Sequence, residues 1–160
     1  IFKDVRSGGR RFAHRVNNVE ELIQRYDESG TRTMILQQVI ESARQYHCIV
    51  IGGEKTLLMA YSLETGRYFT GQDEPEGGLA QEMTDIALKI AHLYGYDINM
   101  TEFVIRDGEV YLINATNPSP LVGRDLMTES QFDWICAEIA DLAARRALQP
   151  PPPKLPVTLP

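Results

Sequence analysis

The chain has 160 residues, and its 43% apolar and 24% charged residues suit one globular domain with a real core rather than a disordered or fibrous chain. A net charge of −6 argues against nucleic acid or an anionic membrane as the main partner, and no apolar run approaches the length of a membrane span. No signal peptide is visible, and the two cysteines, Cys48 and Cys136, lie far apart within apolar patterns. We read them as reduced core residues, which favours a cytoplasmic setting. The sequence starts with Ile1 inside the apolar-basic stretch IFKD, so the expectation is a portion of a larger protein that need not carry a whole active site.

Residues 1–4 read as the end of a strand, RSGGRR at 6–11 as a basic glycine loop, and FAHRV at 12–16 as the returning strand. Asn18 followed by Glu21 has the form of a capping box, Leu22, Ile23 and Tyr26 mark one helical face, and Gly30 ends that helix. MILQQVI at 34–40 is a strand candidate. CIVIGG at 48–53 and TLLMAY at 56–61 flank a turn at Gly52, Gly53 and Glu54 and predict a hairpin, with GRYFTG at 66–71 as a third short strand.

GQDEPEGG at 71–78 is polar and rich in turn formers, hence a loop. Leu79, Met83, Ile86, Ala87, Ile90 and Leu93 then recur at helical spacing, and Gly95 is a left-handed stop. NMTEFVI at 99–105 and EVYLI at 109–113 flank Asp107-Gly108, a strong short-range hairpin signal. Thr128 with Gln131 predicts the capping box of a last helix, whose apolar face is Phe132, Ile135, Ile139 and Leu142. QPPPPKLPVTLP at 149–160 excludes helix and central strand and reads as a polyproline-type tail, a spacer or packing arm. No internal repeat is found. The order strand, helix, strands, helix, hairpin, helix predicts an α+β domain, a mainly antiparallel sheet with helices gathered on one face.

Three stretches carry candidate chemistry. Lys3 lies in a strand, and Gly8 and Gly9 in the loop after it let backbone N–H groups approach a phosphate, with Arg6, Arg10 and Arg11 adding positive charge. The same residues also fit a solvated hairpin turn. In ILQQVIES at 35–42, Gln37 and Gln38 fit either an edge strand with one polar face or a strand whose backbone reads a purine edge, with Glu41 placed to accept from ribose hydroxyls. In the last hairpin, Glu102 comes close to residues 114–117 of NATNPSP, where Pro118 stops the strand. A carboxylate beside a terminal Asn suits Mg²⁺, which takes oxygen donors and often only one or two from protein carboxylates. A solvent-facing Glu and a plain strand end fit the same letters.

The order of these pieces resembles the later part of the ATP-grasp superfamily. FKDVRSGGRRF, ILQQVIE, HCIVIGGEKTLLMAY, LYGYDINMTEFVIRDGEVYLINATNPSP and QFDWICAEIADLA carry the resemblance, from Ile1 to about Ala147. It implies an ATP-grasp-like C-terminal lobe plus part of the central lobe, with residues 1–40 in the central lobe, 41–148 in the C-terminal lobe and 149–160 as the tail. It also implies ATP and Mg²⁺ as cofactors and the ligation of a small carboxylate to an amine or another nucleophile through an acyl phosphate, in the nucleotide-binding portion of a larger protein. Lys3 looks like the strand lysine that touches phosphate, and Gly8 and Gly9 like the loop that closes over it. Gln38, Val39 and Ile40 match the adenine-reading hinge, and Glu41 the ribose contact. Glu102 and Asn117 match metal ligands. Arg67 and His47 lie where they would face phosphates or acceptor, and Arg67 joins Lys3 as a catalytic candidate.

Two departures stand out. The resemblance implies an acidic residue shortly before the terminal Asn, where this chain has Asn114 and Ala115. Asn114 is the stand-in, since its carbonyl oxygen can still ligate. In a regular strand Ala115 shares a face with Asn117, so Asn114 needs a bulge to join it. A further N-terminal lobe, the expected partner within the same protein, would supply much of the acceptor site. These departures keep open an alternative, a catalytically decayed ATP-grasp domain acting as a protein-binding module. Homo-oligomerisation through an exposed half-interface is a further expectation.

Overall fold

In the computed structural model the described residues are 1–5, 12–41, 44–69 and 75–149. Gly8 and Gly9, the first half of the 71–78 loop and most of the proline tail lie outside them. The chain divides into two compact units, Ile1–Glu41 and Ser42–Pro160.

In the first unit, strands β1 (Phe2–Asp4), β2 (Ala13–His14) and β3 (Met34–Leu36) form an antiparallel sheet in the order β2-β1-β3, with helix α1 (Val19–Ser29) between β2 and β3 in sequence. The strands are shorter than the patterns at 12–16 and 34–40 predict. The ladder is limited by β1, whose three residues pair with only Leu36, Ile35 and Met34. Gln37 adds one bond, donating its N–H to the Ile1 carbonyl at 2.9 Å, and Gln38, Val39 and Ile40 leave the sheet. The α1 start is as predicted: Asn18 Oδ1 accepts from Glu21 N at 2.8 Å, and Glu21 reaches back to Asn17 N at 2.9 Å. Gly30 ends the helix at φ 61°. Ile23 and Tyr26 stay more than half exposed, at 56% and 66%.

The second unit is a five-stranded, wholly antiparallel sheet in the order β6-β5-β4-β7-β8: β4 (Gln45–Ile51), β5 (Lys55–Tyr61), β6 (Tyr68–Phe69), β7 (Ile98–Arg106) and β8 (Glu109–Asn114). Helix α2 (Leu79–Tyr94) precedes β7, and α3 (Glu129–Leu148) closes the unit. The class is α+β as expected, but these two helices do not share one face. Ile49 and Ile51 of β4 pack with Ile135 and Leu142 of α3, while Tyr46, Cys48 and Val50 pack with Met83, Ala87 and Ala91 of α2. Every β4 residue from Tyr46 to Ile51 is buried. A central strand covered on both sides reads as a continuous apolar run, and CIVIGG is one.

Local signals set the remaining geometry. Asp107 and Gly108 both adopt positive φ, 54° and 78°, the backbone twist that a two-residue hairpin turn requires. Gly95 ends α2 in the left-handed conformation, its N–H directed at the last carbonyls of the helix. Thr128 and Gln131 form a complete capping box on α3. Leu93, placed on the apolar face of α2 by its spacing, is instead 75% exposed, and the buried stripe is Met83, Ala87 and Ala91. Cys48 is fully buried, but Cys136 is exposed, which corrects its reading as a core residue. It follows the buried Ile135 and so lies about a quarter-turn around the helix from the sheet. Among the described residues no helix is long and apolar enough to cross a membrane.

Candidate functional site

The β7–β8 hairpin positions the acidic centre of the second unit. Glu102 pairs with Asn114, yet the next pair is Phe103 with Leu112. One step on β7 therefore matches two on β8, and Ile113 is the extra residue of a bulge. This irregularity brings Asn114 opposite Glu102, and its Nδ2 donates to Glu102 Oε1 at 3.1 Å. The Glu102 side chain is 25% exposed, so a solvent-borne ligand can reach it.

His47 pairs with Glu102 from the other side, so His47, Glu102 and Asn114 lie abreast across β4, β7 and β8. His47 Nε2 is 4.0 Å from Glu102 Oε2. Its Nδ1 meets the Tyr68 hydroxyl at 2.8 Å, and its ring stacks on Tyr61 with centroids 4.5 Å apart. Burial, reinforced by the Glu102 charge, pushes the Tyr68 hydroxyl well above the usual phenol range, so it remains protonated and can donate. His47 is itself buried, which makes it a support for Glu102 rather than a surface that meets a ligand directly.

Beyond Asn114 the strand ladder stops, but the chain is still held. Asn99 and Thr101 of β7, both fully buried, donate to the Ala115 carbonyl at 3.1 and 3.3 Å. Asn99 Oδ1 accepts from Asn117 N at 2.9 Å, and Met100 N donates to the Asn117 carbonyl at 3.0 Å. The Asn117 side chain turns onto its own segment, accepting from Ser119 N at 3.3 Å. Sequence reasoning missed Asn99 and Thr101. The available signal was a pair of polar residues two apart in an otherwise apolar strand, hence on one face.

The other predicted residues are placed as follows. Lys3 is in β1 between Ala13 and Ile35 and is partly buried. After β3, Gln38 is exposed while Val39 and Ile40 are partly buried. Glu41 is ion-paired with Arg15, and both side chains are largely exposed. Lys3 and residues 38–41 belong to the first unit, and Arg67, Glu102, Asn114 and Asn117 to the second. Arg67 lies just before β6 rather than on it, exposed, with its carbonyl accepting from Ser62 N at 2.9 Å. Among the described residues no three His, Cys, Asp or Glu side chains gather as a metal cluster. A cation here would depend on one carboxylate and neighbouring amide oxygens. That donor set fits Mg²⁺ bound mainly through phosphate oxygens and water. A half-turn of the Asn114 amide exchanges its nitrogen for the carbonyl oxygen that such a cation needs.

The antiparallel sheet flanked by helices is consistent with part of an ATP-grasp-like fold. The chain is similar to D-alanine–D-alanine ligase from Bacillus anthracis complexed with ATP, at 14% identity and a TM-score of 0.63 over 84% of this chain and 48% of that one. It is also similar to D-alanine–D-alanine ligase from Helicobacter pylori, at 19% identity and a TM-score of 0.58 over 89% of this chain and 47% of that one. The chain thus spans about half the length of either enzyme. No family model and no curated protein matches it by sequence.

Proposed function

We propose that this chain is the nucleotide-binding portion of an ATP- and Mg²⁺-dependent ligase that joins a small carboxylate to an amine or another nucleophile. The observation that carries the reading is the Glu102–Asn114 pair, set in register by a bulge on a fold shared with a ligase complexed with ATP. In this reading Lys3 and Arg67 contact phosphate oxygens, and Gly8 and Gly9 close over them. Gln38, Val39 and Ile40 read the adenine. Glu41 takes the ribose hydroxyls, exchanging its exposed ion pair with Arg15, which holds it weakly. Glu102, Asn114 and Asn117 would hold Mg²⁺, which when bound neutralises charge on the phosphate oxygens. A substrate carboxylate oxygen bonds to the γ-phosphorus as the bond to the β,γ-bridging oxygen breaks and ADP leaves. The nucleophile then attacks the acyl carbon, loses its proton to solvent, and expels phosphate. The protein contributes position and positive charge, so no side-chain nucleophile is needed. In this reading a further lobe of the same protein supplies the acceptor site, in keeping with a chain that spans about half the length of the similar ligases.

One observation favours a second reading, a decayed domain that serves as a protein-binding module. Asn114 donates to Glu102, so the pair is satisfied internally with one negative charge where two would attract a cation more strongly. Calorimetric titration of ATP with and without Mg²⁺ separates the two. Mg²⁺-dependent binding by the parent that falls in Lys3→Ala supports the ligase. Binding only in Asn114→Asp supports the decayed domain, and binding in neither contradicts both.

A further inference from the structure

We infer that Asn99 is a positioning residue that replaces the strand ladder beyond Asn114 and so sets where Asn114 and Asn117 stand relative to each other; the inference rests on the ligase reading above. Asn114 and Asn117 are three residues apart. In a regular strand an odd spacing sends two side chains to opposite faces, so both can serve one cation only if the strand breaks between them. It does break: β8 ends at Asn114, and Pro118 offers no N–H to extend pairing. A broken strand leaves backbone groups without ladder partners, which in a buried setting is costly.

Asn99 supplies those partners. Its Nδ2 donates to the Ala115 carbonyl and to Thr101 Oγ1 at 3.2 Å, and its Oδ1 accepts from Asn117 N. Both ends of one amide are thus directed at the stretch between the two candidate ligands. Met100 N, the next group along β7, fixes the Asn117 carbonyl. Asn99 itself has no exposure, on a strand that pairs on both sides, so its orientation is not free to drift. Buried amides are expensive unless bonded, and a leucine of similar size would satisfy the core by itself. The polar choice at 99 is explained by what it holds at 115 and 117.

The test compares Asn99→Leu and the milder Asn99→Ser with Thr101→Val in the full chain. Thr101→Val removes one donor to Ala115 and one acceptor of Asn99 Nδ2, but leaves the bond from Asn117 N to Asn99 Oδ1 in place. Three quantities are read: ATP affinity with Mg²⁺, ATP affinity without it, and hydrogen exchange at Asn117 N–H. Both Asn99 variants are expected to weaken Mg²⁺-dependent ATP binding by about tenfold to a hundredfold, the usual effect of losing a residue that orients metal ligands. Metal-free ATP binding should be unchanged, and Asn117 N–H should exchange faster. Thr101→Val should weaken Mg²⁺-dependent ATP binding less than either Asn99 variant and leave exchange at Asn117 N–H near that of the parent. A merely structural Asn99 would lower the melting temperature without separating the two affinities, and that result overturns the inference. Unchanged Asn117 exchange in Asn99→Ser overturns it as well. A parent that shows no Mg²⁺-dependent binding instead refutes the ligase reading, and the positioning role with it.

Discussion

Asn114 meets Glu102 across the last hairpin because Ile113 is bulged out of the ladder, leaving the amide nitrogen 3.1 Å from the carboxylate. The contact takes the place of the second acidic group that the sequence resemblance implies. It satisfies Glu102 within the hairpin without a second negative charge.

Asn114→Asp should therefore trade stability for metal affinity. Two carboxylates in register repel and raise each other's pKa. Without Mg²⁺ at neutral pH the variant should lose about 1–3 kcal/mol, the cost of removing one partner of a partly buried hydrogen bond. Millimolar Mg²⁺ should restore part of that loss in the variant and much less in the parent. Thermal unfolding with and without Mg²⁺ checks both directions.

The two cysteines should react differently. Burial pushes the Cys48 thiol up to about 12, while Cys136 lies exposed on α3. Alkylation of the native protein should label Cys136 and spare Cys48 until the chain unfolds. Peptide mass spectrometry reads the result. Labelling of Cys48 at the same rate would contradict the burial of β4.

Cys48 also predicts alkaline instability. Its thiol, ordinarily at 9.0, is raised to about 12 in the fold by burial. Between those values the unfolded chain gives up the proton and the folded chain keeps it. Stability contributed by the protonated thiol is present below about pH 9 and is lost as the pH rises toward 12, by up to about 1.4 kcal/mol per pH unit from this group. Denaturant unfolding between pH 8 and 11 should show a smaller slope for Cys48→Ala than for the parent.

On α3, Ile135→Ala should cost about 2–5 kcal/mol, since Ile135 is fully buried against β4. Cys136→Ser, one residue along, should stay within about 0.5 kcal/mol of the parent. Chemical denaturation of the two variants measures the contrast. Similar losses in both would place the helix face incorrectly.

The hairpins, the helix caps and the α+β class were legible because each rests on local chemistry: Asp107-Gly108, Thr128 with Gln131, and Asn18 with Glu21 encode their own geometry. The distribution of α2 and α3 over two faces was less so. Periodicity shows that a helix has an apolar side but not which side of a sheet it covers, although the unbroken apolar run of β4 held the clue. The irregularity expected from the sequence lay between Asn114 and Asn117; the bulge at Ile113, on the other side of Asn114, was not anticipated. Nor was the clamp from Asn99 and Thr101, because it joins residues 14 to 18 positions apart through side chains that look like ordinary strand polarity. Cys136 was misjudged for a related reason, as an apolar letter on a polar face.

The central claim is that a divalent cation brought by ATP lies between Glu102, Asn114 and Asn117. Nuclear magnetic resonance with Mn²⁺ in place of Mg²⁺ tests it most directly, since a paramagnetic ion broadens signals only close to where it binds. On adding Mn²⁺ with ATP, the side-chain amide signals of Asn114 and Asn117 should broaden first, and excess Mg²⁺ should restore them. Broadening elsewhere with these two signals left sharp, or none at all in the presence of ATP, would contradict the account.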